Sequence, residues 1–198
     1  MPVACYTNCD TVELFLNGKS VGLKGYAFPR LGMEGRYGNV PPRERVLRTT
    51  ADLHLSWDVP YEAGTLKAVG TKDGKVAATL EISTTGEPAA VNLSVDRPHI
   101  AADRRDVAHI AVQILDAHGH VVPDADSEVA FALEGDGKLI GVDNGDPQDH
   151  DSYQALRRKA FSGWCLAIVQ STARAGRIRM TATSRDLKPA VCLIDTRA

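Results

Sequence analysis

Apolar side chains recur at every second position through most of this 198-residue chain, the period a strand with one buried face requires. Val12, Leu14 and Leu16 alternate with Glu13 and Phe15, and Asn17-Gly18 follows as a two-residue hairpin signal. Leu53, Leu55, Trp57 and Val59 alternate with His54, Ser56 and Asp58. Lys72-Asp73-Gly74 turns the chain into Val76, Ala78, Leu80 and Ile82, all on one face. The same rhythm continues through Val91–Val95, Ala108–Ile114 and Val129–Leu133, with further strands expected at Leu139–Val142, Ala160–Ser171, Ile178–Thr183 and Ala190–Ile194. No window carries a sustained helical period, and Tyr153–Lys159 holds at most one or two helical turns. Short strands at this spacing, separated by Gly, Asp and Pro, predict an all-β fold of antiparallel β-sandwiches.

The polar stretch Thr84–Pro88 interrupts the pattern and divides the chain into two expected sandwich domains, residues 1–86 and 87–198. Domains of that size leave little surplus core. A (β/α)₈ barrel, which alone takes about 250 residues, does not fit in the length. Residues 24–52 break the rhythm with repeated Gly and Pro and form a long insertion in the first domain. From Lys24 to Arg48 this insertion holds six basic residues against Glu34 and Glu44, a local charge suited either to an acidic surface or to docking on a neighbouring domain. Over the whole chain Lys plus Arg (23) nearly balances Asp plus Glu (25), which argues against a nucleic-acid partner. No apolar run approaches the length of a membrane-crossing helix, and none is expected to contact a membrane. The first residues lack a signal-peptide pattern and enter a strand-like segment at once, as a piece of a longer protein would.

No residue set stands out as catalytic. GxSxG, GxxxxGK[ST] and a helix-opening GxGxxG are absent. Glu13, Glu62, Glu81, Glu87, Glu128 and Glu134 occupy solvent-alternating or turn positions, and none pairs with another as glycoside hydrolysis would need. The acidic run Asp143–Asp151 is rich in oxygen ligands but lacks the spacing of a calcium loop, and its composition is that of a tight turn. His118-Gly119-His120 lacks a third ligand. No metal or cofactor is therefore expected. Cys5 and Cys9 are too far apart along a strand to bond, whereas Cys165 and Cys192 either face each other across a sheet or stay as buried thiols. Asn92-Leu93-Ser94 is a formal glycosylation sequon. Trp57 reads as core on its alternating face; turned outward beside Tyr61 it would make a sugar-stacking platform, so Trp57 and Tyr61 are the candidate carbohydrate-binding residues. Trp164, ahead of a buried strand, also reads as core.

Two long blocks carry a resemblance. Tyr6–Ser20, YTNCDTVELFLNGKS, and Trp57–Gly70, WDVPYEAGTLKAVG, closely resemble consecutive strand blocks in the C-terminal region of family 2 glycoside hydrolases of the bacterial β-galactosidase type. Residues from Gly86 through Val122–Asp126 and Gly141–Pro147 to Phe161 resemble the last immunoglobulin-like domain of that family. The resemblance implies two tandem immunoglobulin-like sandwiches that follow a catalytic barrel and support it or mediate oligomer contacts. The family's two catalytic glutamates lie on barrel strands, so no catalytic residue carries over. It also implies a barrel of the same parent chain as partner, with an oligosaccharide as a further possible ligand, and a parent that is periplasmic or secreted. An independent carbohydrate-binding or adhesion module is the alternative.

Overall fold

The computed structural model of the chain describes residues 1–26, 47–49 and 54–198. Among these residues there are sixteen strands and no helix, and the chain divides into two compact units, Met1–Thr84 and Thr85–Ala198. The fold is all-β, with sheets that are antiparallel apart from two short parallel pairings, of the immunoglobulin-like sandwich class.

In the first unit, β2 (Thr11–Leu16) lies at the centre of a five-stranded sheet. On one side of it lie β3 (Lys19–Tyr26) and the parallel β4 (Leu47–Thr49); on the other lie β6 (Thr65–Lys72) and β7 (Lys75–Ser83). A separate pair, β1 (Pro2–Cys5) with β5 (Leu55–Asp58), supplies the second layer. The two hairpins turn where expected: Asn17 and Gly18 have φ of 50° and 78°, and Asp73 and Gly74 have 50° and 75°, the paired left-handed residues of a type I′ turn. Alternation then delivers Val12, Leu14 and Leu16 from one layer and Leu55 and Trp57 from the other into a small core that also takes Val59. Leu53 and most of the insertion 24–52 lie outside the described residues.

The two layers differ in width, and the difference shows in burial. Five strands span about 19 Å between outer strand axes, two only about 5 Å. Leu14, Ala68 and Leu80 lie in one cross-strand row, as do Leu16, Leu66 and Ile82. Along each row the side chain is buried on β2, half-buried on β6 and exposed on β7, where Leu80 and Ile82 are 65% and 62% exposed; a register shift sets Val76 opposite Thr71, out of phase with the face the sequence assigns it. The apolar face expected for β7 exists, but the narrow second layer does not reach it.

The second unit is a closed sandwich. One sheet runs β12 (Gly137–Asp143), β14 (Trp164–Ser171), β10 (Val107–Leu115), β8 (Ala90–Val95). The facing sheet runs β13 (Arg157–Lys159), β11 (Glu128–Gly135), β15 (Gly176–Ser184), β16 (Ala190–Arg197), β9 (His99–Ala101). Ile110, Val112, Ala167 and Val169 meet Val129, Phe131, Ile178, Met180 and Ile194 between them. β16 lies inside its sheet, antiparallel to β15 and parallel to β9.

Two expectations are corrected here. The strand foreseen over Ala160–Ser171 begins at Trp164, because Ser162 and Gly163 take φ of 52° and 79° and fold Phe161 back onto Trp164. Tyr153–Lys159 makes no helix: Arg157–Lys159 is β13, with Arg158 facing inward between two exposed neighbours. A strand wins because that alternation buries one guanidinium and leaves two cations in water.

Candidate functional site

Trp57 is core. It is 4% exposed, its Nε1–H donates to the Gly22 carbonyl at 3.1 Å, and the Lys24 ammonium lies 5.4 Å from its ring centre while donating to the Ser56 carbonyl. Its indole presents no open face to a sugar. Tyr61, after β5, is exposed by itself, so the two do not form a joint stacking surface. Trp164 reverses the expectation for it: it is 44% exposed, as is Phe161 beside it. A Ser-Gly pair between two aromatics is a two-residue hairpin signal, and it marks the surface the alternation alone missed.

The glutamates on the strands serve neighbouring strands. Glu13 accepts from the Ser20 hydroxyl at 2.7 Å, Glu81 pairs with Lys67 at 2.7 Å, Glu128 with Arg157 at 3.6 Å, and Glu134 with Arg179 at 3.8 Å. No group of three or more His, Cys, Asp or Glu side chains gathers to hold a metal among the described residues. The cysteines are free thiols: Cys165 and Cys192 stand on strands of opposite sheets, and burial pushes the Cys165 thiol up to about 12.

The acidic run Asp143–Asp151 and the basic residues after it form one structure, organised by Arg158. This guanidinium is buried, its side chain 1% exposed, and Nη1 donates to Asp149 Oδ2 at 2.8 Å. Nη2 donates to the carbonyls of Val142 and Asp151, and the Tyr153 ring lies 5.1 Å from the guanidinium carbon. Asp149 Oδ2 also accepts from Asn144 Nδ2 at 2.7 Å, while Oδ1 accepts from the Asp151 N–H. That N–H, followed by Arg158, holds the Asp149 carboxyl below its ordinary value. Asp143, Asn144 and Asp146 each accept from a backbone N–H one or two residues ahead. The oxygen-rich composition is thus a succession of side-chain-closed turns around a buried cation.

Asp116 fixes the start of the second unit in the same manner. Its buried carboxylate accepts from the N–H groups of Gly86, His118 and His120 at 2.8–2.9 Å. The rings of His118 and His120 approach the same carboxylate through Nδ1, at 4.0 and 3.6 Å, so the His-Gly-His turn is built around an occupied carboxylate. The Gly86 N–H above all, with those of His120 and His118, lowers its pKa from 3.8 to about 2 against the opposing effect of burial. A folded-state pKa below the unfolded one stabilises the fold above 3.8, and the contribution is lost as pH falls through about 2. Asp116→Asn is expected to flatten that acid slope, measured by denaturant unfolding of the second unit at stepped pH; an unchanged slope would show that other carboxylates carry it.

Residues 91–192 match the glycoside hydrolase family 2 C-terminal domain 5, and residues 1–78 match a domain of unknown function, DUF4982. The chain belongs to glycoside hydrolase family 2. It is 38% identical over 191 residues to the β-galactosidase BoGH2A of Bacteroides ovatus, covering 96% of this chain and 20% of that protein. Among solved structures, a family 2 member from Bacteroides cellulosilyticus superposes with a TM-score of 0.82 at 33% identity, over all of this chain and 23% of that one. A β-glycosidase from Bacteroides vulgatus gives 0.83 at 32% identity, over 98% and 22%. The chain therefore spans about a fifth of the length of these relatives.

Proposed function

We propose that this chain is a non-catalytic accessory region of a longer family 2 glycoside hydrolase of the β-galactosidase or β-glucuronidase kind, and that it supports the catalytic barrel of that enzyme. The observation that carries this is the uncovered face of β7. A row that begins in the core at Leu14 and Leu16 continues without a polar break to Leu80 and Ile82, where solvent replaces the second layer. Exposed apolar continuity of this kind is what a sheet shows where another domain packs. Four-fifths of each close relative lies outside the matched region, which supplies a domain to cover it. On this reading residues 1–86 and 87–198 are two separate sandwich domains, the nucleophile and acid belong to the barrel, and the parent enzyme works in the periplasm or outside the cell.

Leu80→Lys with Ile82→Lys tests the docking. In the enzyme that contains this region the pair is expected to lower the Tm by several degrees, at about 1 kcal/mol or more for each apolar side chain kept in water. In the isolated 198-residue chain, where both positions are already exposed, the Tm should stay within about 1 °C. The isolated chain is also expected to leave a nitrophenyl galactoside intact. Equal Tm loss in both proteins, or none in either, would overturn the docking role.

A further inference from the structure

We propose that the outer face of the four-stranded sheet in the second unit is a platform for a neutral oligosaccharide. Phe161 and Trp164 supply the stacking surface, and Gln113 with Asn92 the hydrogen-bonding end. This site lies on a different unit from β7 and goes beyond the supporting role, so either can fail without the other.

Four side chains form one row there. Phe161 and Trp164 exchange backbone hydrogen bonds at 2.8 and 3.0 Å across the two-residue turn Ser162-Gly163, so their rings leave the backbone on the same side. Trp164 stands opposite Gln113 on β10, and Gln113 stands opposite Asn92 on β8. The Asn92 Nδ2–H donates to Gln113 Oε1 at 2.7 Å, which confirms that both amides share a face. Cys165, next along β14, points the other way into the core. Three strand-to-strand steps give the row a length of about 14 Å, suited to a short oligosaccharide rather than a single ring.

The chemistry of the row selects the ligand. A pyranose has an apolar C–H face and an edge of hydroxyls that both donate and accept. The electron-rich faces of indole and phenyl suit polarised C–H groups. With Gln113 Oε1 engaged by Asn92, the Gln113 amide N–H groups and Asn92 Oδ1 remain to donate to and accept from hydroxyls. A wholly apolar partner would strand those amides at a cost. An anionic ligand would need a cation, and none stands in the row. The platform is also rigid: Gly163 has φ of 79°, and a Cβ there would lie 2.3 Å from the Val122 carbonyl oxygen, so the turn fits closely against the backbone at Val122. Binding to a preformed surface avoids much of the ordering cost.

The chain has two tryptophans, and Trp57 is buried, so exposed tryptophan emission comes from Trp164. Titrating the 198-residue chain with β-1,4-galactotetraose, cellotetraose and xylotetraose should show at least one that shields Trp164 from acrylamide quenching. Affinity electrophoresis on the matching polysaccharide should show retardation, lost in Trp164→Ala at unchanged Tm. Gln113→Ala, half-buried on the outer face of the sheet, should weaken binding about tenfold, as loss of one anchoring contact does. Absence of binding by all three sugars at millimolar concentration would overturn the proposal, as would binding that survives Trp164→Ala. A change of oligomeric state in Trp164→Ala without any sugar binding would overturn it too, and would assign the face to a second copy of the chain.

Discussion

Arg158→Ala is expected to destabilise the second unit by about 3–5 kcal/mol, the range seen when one partner of a buried, hydrogen-bonded ion pair is removed. The loss has several components. The guanidinium satisfies two carbonyls, those of Val142 and Asp151, that the deletion leaves short of donors. It also leaves Asp149, whose carboxylate anchors Asn144 and the turn at Asp151, without its cation. A cavity remains where one of the largest fully buried side chains of the chain stood. Denaturant unfolding of wild type and variant measures the difference. Replacing the pair with apolar residues, Arg158→Met with Asp149→Leu, should recover much of the stability, because no charge is then left buried. It should not recover the order of residues 144–151, since Asn144 and the Asp151 N–H are both held by Asp149. Amide exchange across that loop separates the two effects: protection there in the double variant would show that the ion pair does not organise the loop.

Trp57→Ala is expected to cost the first unit about 3–5 kcal/mol, the usual penalty for truncating a buried tryptophan. Among the described residues the core cluster of that unit consists of Val12, Leu14, Leu16, Leu55, Trp57 and Val59, so a single truncation removes a large fraction of it. The variant also orphans the Gly22 carbonyl and removes the ring beneath the Lys24 ammonium. Small domains have stabilities of about 5–15 kcal/mol, so the first unit should be largely or wholly lost as a cooperative structure. Loss of sugar binding in Trp57→Ala would then report unfolding, whereas Trp164→Ala reports the surface. Calorimetry resolves the point; a first-unit transition within about 1 kcal/mol of wild type would show that the core closes around the gap.

Much of the fold was legible because period-two alternation is a direct image of a strand with one buried face. It located β2, β7, β10, β11 and β15 and the two hairpin turns of the first unit, and residues such as Ile110, Val112 and Met180 are buried as the pattern requires. What it does not encode is the extent of the opposing layer. Leu80 and Ile82 have the same pattern as Leu14 and Leu16, yet one pair is exposed and the other buried, because cover depends on how many strands stand opposite. Arg158 was hidden for the opposite reason. Composition reads a lone arginine among exposed residues as surface, whereas its burial depends on Asp149 nine residues away and on two carbonyls brought to it by the loop. Trp164 was placed in the core by its neighbours Cys165 and Ala167, although its own position is one step out of phase with theirs.

The position of β16 has a consequence for synthesis of the protein. A strand held between β15 and β9 is the last of its sheet to leave the ribosome, and until it does the flanking strands present unpaired edges to each other across a gap. Ile194, fully buried in the finished sandwich, closes a core that every earlier segment leaves open. The second unit therefore completes its fold after translation of residues 190–197, not progressively along the chain.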